Sequence, residues 1–347
     1  MILTKSPHYI NISLDFATTY SVQMDLYIWS GEQANAPITP TYILTKERPD
    51  VATTEIDLDI SDLINDFIIN KPSVQTLSGK YPSIIDNAVW VKYIISFNDD
   101  TEIITPIEVI DFAIAGYGYF LEGINPQPPI SRVLTSSFYQ KVEDSFYLPY
   151  IADGTITQLE ASDGTTNQTY AISNQTDSKN RLATLFINVN DFSGQFITVT
   201  DSVNEWVFEV VTECKYTPEK ILFLNKFGAY ETFTFFKARK ESLKVESKDF
   251  NNAFVSSGGY DIQRHQKQKY NTQASESFEL NTDYIPEEEN ERITQLLVSD
   301  SVYIITGGQP VPVNLESNSL EYKTRINDRL ISYTINFSYA FNKINNV

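Results

Sequence analysis

The feature that most constrains this chain is an alternation near its C-terminal end, where Ile331, Tyr333, Ile335, Phe337 and Tyr339 are interleaved with Ser332, Thr334, Asn336 and Ser338. A period of two is that of a strand buried on one face and wet on the other; a helix would scatter the same residues around its axis. The period recurs near the start, in Ile10, Ile12, Leu14 and Phe16, and again in Val22, Met24, Leu26 and Ile28. The 21 Tyr and 21 Phe, with abundant Ile, Thr and Val and only 2 Met, favour strands further. At 347 residues the chain suits two or three domains, each burying its own core.

Strand-like runs at 41–45, 88–97 and 101–110, separated by turn-rich pieces such as GEQANAPITP, predict a β-sandwich of immunoglobulin or fibronectin type over 1–128. One short helix interrupts it, with Ser61 as cap and Ile60, Leu63, Ile64, Phe67 and Ile68 on one face. The segment NPQPPI at 125–130 cannot belong to a central strand and marks the first boundary. Residues 129–216 then predict a second small β-sandwich, with strands near 155–160, 182–189, 195–200 and 206–211. A third, α+β unit over 217–347 opens on ILFLNKFGAYETFTFF, with Gly228 at a turn. In its helix Pro286 suits the first turn, Glu287, Glu288 and Glu289 complement the dipole, and Ile293, Leu296 and Leu297 form the apolar face, stopping near Ser299. Two hairpins follow, with Gly307-Gly308 and Asn327-Asp328 at their turns. The expected fold is mainly β.

The residues of common active sites are scarce. The two histidines, His8 and His265, fall in different units and are expected to face solvent; no phosphate-cradling or nucleophile-elbow motif occurs. Asp57, Asp59 and Asp62 imitate a calcium loop, but the turn glycine is missing and Ile68 stands where a bidentate Glu is needed. The lone Cys214 excludes an internal disulfide and is expected to be buried. Trp29, Trp90 and Trp206 lie in strand-like runs and read as core, with glycan stacking as the alternative. No catalytic residue, metal or cofactor is expected. The opening MILTKSPHYINISLDF has no signal-peptide pattern, and no run of 18 apolar residues occurs, so neither secretion nor membrane insertion is expected.

Charge is uneven. A net charge of -19 argues against wrapping nucleic acid or lying on an anionic membrane. Residues 1–130 hold 6 Lys/Arg against 17 Asp/Glu, 131–216 hold 5 against 11, and 217–347 hold 15 against 17. The one basic departure is Lys237, Arg239, Lys240, Lys244 and Lys248, followed by Arg264, Lys267 and Lys269. On a strand, Lys240, Lys244 and Lys248 share a face. Three readings compete for them: a solvated surface mixed with acids, a contact with the acidic units of a neighbouring copy, and a nucleic-acid contact. The second biases copies to meet through unlike surfaces, which closes a ring or runs on as a filament.

Three stretches, LNKFGAYETFTF at 224–235, ELNTDYIPEEENERITQLLVSDSVYII at 279–305 and VPVNLESNSLEYKTRINDRLISYTINFSYAF at 311–341, resemble a domain of virion structural proteins in crAss-like phages that infect Bacteroidota. DLYIWSG at 25–31 and DISDLINDFI at 59–68 look like the first domain of such proteins. The resemblance implies a ring or collar subunit of the tail, dodecameric and stacked below the portal, with a third unit comparable to tail-tube and distal-tail folds. It implies other copies, the portal and further ring or hub proteins as partners. Genomic DNA would pass through the lumen without specific binding, eased by an acidic wall. Assembly in the bacterial cytoplasm and residence in the virion follow from it. A tail hub or a receptor- or glycan-binding adhesin is the alternative, and a polysaccharide depolymerase is the weakest reading.

Overall fold

A computed structural model describes residues 1–14, 19–99, 105–252, 255–260, 263, 265–317 and 330–344. The protein is mainly β, with 50% of residues in strands and 9% helical. The turn expected at Asn327-Asp328 and residue Arg264 lie outside the described residues.

In the first unit Ile2–Leu3, Ile107–Ile114, Ala88–Asp99, Thr19–Trp29 and Tyr42–Glu47 form a five-stranded sheet in that spatial order. The antiparallel pair of strands Tyr9–Ser13 and Glu55–Asp59 and the helix Ser61–Asn65 cover one face, burying Ile12, Ile56, Ile60 and Ile64 against Met24, Leu26, Val89 and Val91. Ser61 does not cap this helix. Its hydroxyl donates to Asp59 Oδ1 at 2.7 Å, and that carboxylate also accepts from the backbone N–H of Ser61 at 3.0 Å and of His8 at 3.1 Å. A carboxylate is the stronger acceptor for such orphan donors, and it already stands at the end of the preceding strand.

The middle unit is two sheets packed face to face. One contains Asn167–Ala171, Gln158–Ser162, Phe196–Thr200, Glu205–Val210 and Tyr139–Val142; the other contains Ser145–Ile151, Leu182–Asn188 and Gly79–Pro82. Between them lie Phe146, Leu148, Leu185, Leu159, Ile197, Trp206 and Phe208, with the Phe146 and Phe208 rings stacked 3.6 Å apart. Gly79–Pro82 comes from the stretch 1–128, so the first and middle stretches share a sheet.

The third unit is a seven-stranded sheet ordered Tyr230–Phe235, Glu219–Leu224, Val302–Thr306, Gln309–Leu315, Thr334–Tyr339, Lys267–Asn281 and Lys240–Asn251. Chain geometry forces it to curl. Residues 236–239 alone join its two outer strands, and five Cα steps reach at most about 19 Å, whereas seven flat strands spaced by about 4.8 Å would put those edges roughly 29 Å apart. The Phe235 and Phe337 rings, from strands four places apart, accordingly meet edge to face at 6.0 Å. Inside the curl, Ile293 and Leu296 of the helix Asn290–Val298 pack on Phe223, Phe233, Phe278 and Phe337. Pro286 precedes a single 3-10 turn, Glu287–Glu289, that leads into this helix, and Ser299 ends it. Gly307 and Gly308, both at positive φ, make the two-residue turn between Val302–Thr306 and Gln309–Leu315.

Candidate assembly interface

The strand Lys240–Asn251 is the outermost of its sheet, paired on one side only among the described residues, and eleven of its twelve residues are exposed. With Lys267–Asn281 it forms a two-stranded ribbon, kinked by a bulge near Asn271, whose φ is 49°. The ribbon leaves the body of the sheet: Lys267–Asn281 is buried mainly toward its C-terminal half, where it also pairs with Thr334–Tyr339. An exposed strand edge offers unpaired backbone donors and acceptors to another chain.

The five basic residues singled out by sequence fall at two places. Lys237 and Arg239 sit at the ribbon's root. Lys237 bridges Glu213 and Asp283, both at 3.2 Å; burial opposes its charge, yet those carboxylates hold its pKa above the ordinary lysine value. Arg239 meets Glu219 at 3.0 Å and Glu241 at 2.9 Å, and its guanidinium lies 4.5 Å over the Phe278 ring. Along the ribbon, Lys240 pairs with Glu279 at 2.5 Å and Lys244 with Glu246 at 2.7 Å. Lys248 has no ion pair among the described residues. Lys240, Lys244 and Lys248 do share one face, but acids of the same chain are interleaved with them. Ionic pairs this exposed are weak and exchangeable.

At the other edge strand of the same sheet lies a buried polar junction that sequence reading missed. Arg292, on the helix, sends Nε to Glu231 Oε1 at 2.8 Å, Nη1 to Glu289 Oε2 at 2.5 Å and Nη2 to the carbonyl of Thr232. Glu231 also accepts from Thr135 Oγ1 at 3.0 Å, Gln140 Nε2 at 3.1 Å and Asn225 Nδ2 at 3.1 Å. Ser137 donates to Glu289, and Asn225 Nδ2 donates to the carbonyl of Leu134 at 2.7 Å. Middle and third units are thus stitched by one hydrogen-bonded cluster. Burial pushes the Glu289 carboxyl above its ordinary value, with Arg292 pulling it back; for Arg292 burial lowers and the two carboxylates raise, the carboxylates prevailing. Glu289 therefore turns inward rather than complementing the helix dipole from solvent. The signal was present in EEENER, where Glu289 and Arg292 stand three apart on one helical face.

The first unit joins through glycine. The turn Asn225–Ala229 is set by Asn225 Oδ1, which accepts from the N–H of Phe227 at 3.0 Å and of Ala229 at 3.2 Å. Gly228, at φ +74°, presses on the Ala115–Gly116 backbone so closely that a Cβ would lie 2.7 Å from it. Across the contact Tyr117 N donates to the Lys226 carbonyl at 2.8 Å. Leu3, Trp90, Phe112, Leu134, Leu182 and Phe227 pack beside it, drawing on all three units.

Other expectations resolve individually. Trp29, Trp90 and Trp206 are buried, so none offers a stacking platform. His265 is exposed, but His8 is buried at the strand entry, where its own backbone N–H donates to Asp59 Oδ1. Burial lowers its pKa below 6.5 despite the nearby Asp111 and Asp59. Cys214 is exposed, not buried: it follows the last strand of the middle unit in an irregular linker with no core to enter. Asp57 accepts from Asn11 at 2.8 Å and Asp62 lies in the first turn of the short helix. Among the described residues no group of three or more His, Cys, Asp or Glu is placed to hold a metal ion. No helix there is long and apolar enough to cross a membrane. Neither a protein-family model nor a curated protein matches this chain.

Proposed function

We propose that this chain is a structural subunit of a bacteriophage tail, a ring or collar component below the portal, that joins its neighbours through the ribbon and gives DNA a passage. The observation that carries the reading is the ribbon itself, a twelve-residue edge strand held out from a tightly stitched body. A two-stranded ribbon is marginal alone in water and gains most from a partner that covers or extends it. The buried junction supports the same role, because a connector must keep its units in fixed orientation. So does the charge distribution: the first two thirds are strongly acidic, which repels phosphates along a passage. The third unit is proposed to be comparable to tail-tube and distal-tail domains, on the quoted resemblance of 224–235, 279–305 and 311–341.

The role is non-catalytic in this reading. A glycan-binding adhesin is the poorer alternative, since the three tryptophans that would serve it are in the core. Negative-stain microscopy and native mass spectrometry of the purified protein and of virions test the proposal. Closed rings are the expected result; persistent monomers together with virions that contain no ring of this subunit would overturn it.

A further inference from the structure

The middle unit's sandwich stays open at one side. There the edge strand of its three-stranded sheet, Gly79–Pro82, comes beside the edge strand of its five-stranded sheet, Asn167–Ala171, and the Lys80 ammonium spans the gap to donate to the Ala171 carbonyl. Inside this mouth the core runs short of bulk. The inward residues of Leu182–Asn188 are Ala183, Leu185 and Ile187, and Ala183, the smallest, stands in one cross-strand row with Tyr150 and Pro82. Ala152 and Ile172 lie beside them, and a cleft of about 200 Å³ is left. Its wall is held in place: Gln175 N donates to the Ala152 carbonyl at 2.9 Å, Ile172 N to that of Thr157 at 2.8 Å, and Arg181 Nη1 to that of Gln175 at 3.0 Å. A cleft already formed loses little conformational freedom when it is filled.

Unspent polar groups converge on it. Tyr150 lines the cleft and is only 3% exposed, yet its hydroxyl has no hydrogen-bond partner among the described residues. Burial pushes this phenol up to about 12, so it stays protonated, able both to donate and to accept. An enclosed hydroxyl left bare is unfavourable, and a native fold keeps one where something outside the chain completes it. Gln175 Nε2 is spent on Ser173 Oγ at 2.7 Å and Asn180 Nδ2 on Asp177 Oδ2 at 3.2 Å, which leaves both amide oxygens free to accept. What the cleft lacks narrows the ligand further. No carboxylate lines it, in a chain with 45 Asp and Glu, so it offers nothing to a cation. Its one cation, Lys80, is already engaged by a carbonyl and has no second cation beside it, so it is poorly equipped for an anion. An apolar floor of Ala152, Ile172 and Ala183 under a neutral polar rim suits a molecule with a C–H face and a ring of hydroxyls.

We infer that this cleft binds one unit of a neutral sugar, a hexopyranose whose hydroxyls meet Tyr150, Gln175 and Asn180 while a C–H face lies on Ile172 and Ala183. The site adds a binding function to the structural role, depends on no part of the ring reading and needs no tryptophan platform. Its test mixes the full chain with the methyl glycosides of glucose, galactose, mannose and N-acetylglucosamine and reads saturation-transfer NMR. At least one should give a saturable signal with Kd on the order of 1 mM, the affinity that roughly a dozen non-hydrogen atoms support in a shallow site. Tyr150→Phe removes only the bare hydroxyl; it should weaken that binding at least about fivefold with the melting temperature unchanged or raised, because no hydrogen bond within the protein is lost. Ser173→Trp, at an exposed position of the rim, should block the cleft and abolish the signal while the chain stays folded. Silence from all four glycosides overturns the inference. Binding that survives both substitutions also overturns it, since the sugar then sits elsewhere, and so does tighter binding of glucuronate or glucosamine, which would make charge the basis of recognition. None of these outcomes bears on the ring, which microscopy of virions decides separately.

Discussion

The seven-stranded sheet ends in two very different edges. At one, all six residues of Tyr230–Phe235 are buried; at the other, eleven of the twelve in Lys240–Asn251 are exposed. A strand edge is a hazard wherever it lies, because its unpaired backbone groups invite another chain. The first edge meets it by being covered, by Ser145–Ile151 and by the polar junction, which requires partners for every polar group carried inside: Glu231 alone takes Thr135, Gln140, Asn225 and Arg292. The second leaves its edge open and lines it with lysines and glutamates. Internal cohesion and external contact are thus built on opposite margins of one sheet, and substitutions should separate them.

Arg292→Leu should have the largest effect. It leaves Glu231 and Glu289 buried without their cation, and a broken buried ion pair costs about 3–5 kcal/mol. The denaturant midpoint should fall accordingly; a loss under about 1 kcal/mol, at the scale of an exposed pair, would mean that the junction is not what holds the middle and third units together. Gly228→Ala comes next. A side chain there faces positive φ and the Ala115–Gly116 backbone together, and about 2 kcal/mol should be lost. Chemical denaturation reads it, and early proteolysis between the first and third units should accompany it.

Acid probes the same division. Burial depresses the His8 pKa, so the unfolded chain binds the proton more readily than the folded one. Stability should therefore be full above about pH 6.5 and fall as the pH drops from that unfolded value to the lower folded one. His8→Gln should flatten this step in urea midpoints measured across pH 7 to 5, and an unchanged step would assign it to other groups.

Much of the fold was legible because periodicity reports burial directly. Ile331, Tyr333, Ile335 and Phe337 are all inside, and the helix with Ile293 and Leu296 inward ends at Ser299, as its pattern indicates. What the pattern could not convey is what depends on tertiary partners. The aromatics of YETFTF and the charges of KESLKVES hint at different surroundings, but that both faces of the first are covered and nearly all of the second is wet depends on the covering strand. Glu289 looks like its neighbours Glu287 and Glu288 until Arg292 is found beneath it. His8 and Cys214 were misjudged for the same reason: a histidine beside a proline and a cysteine in a linker are buried or exposed by what packs over them, which residue type does not determine. The five basic positions were visible as charge, but the acids Glu213, Glu219 and Asp283 that hold Lys237 and Arg239 lie 20 to 46 residues away in sequence.

The smallest effect sharpens the comparison most. Lys240 is 72% exposed and its pairing with Glu279 is open to water, so Lys240→Ala should change the unfolding free energy of the isolated chain by less than about 0.5 kcal/mol. Hydrogen exchange gives that small number its meaning. Amides on the outward side of Lys240–Asn251 have no strand beside them among the described residues and should exchange fastest of any long strand in the lone chain, while those of Tyr230–Phe235 exchange only on global opening. In the assembled state the outer amides should slow markedly and the inner ones barely change. If both edges exchange alike before and after assembly, the open margin is not where neighbours meet. If Lys240→Ala leaves stability intact yet delays protection of the outer strand, the lysine face serves the encounter between copies rather than the fold of one.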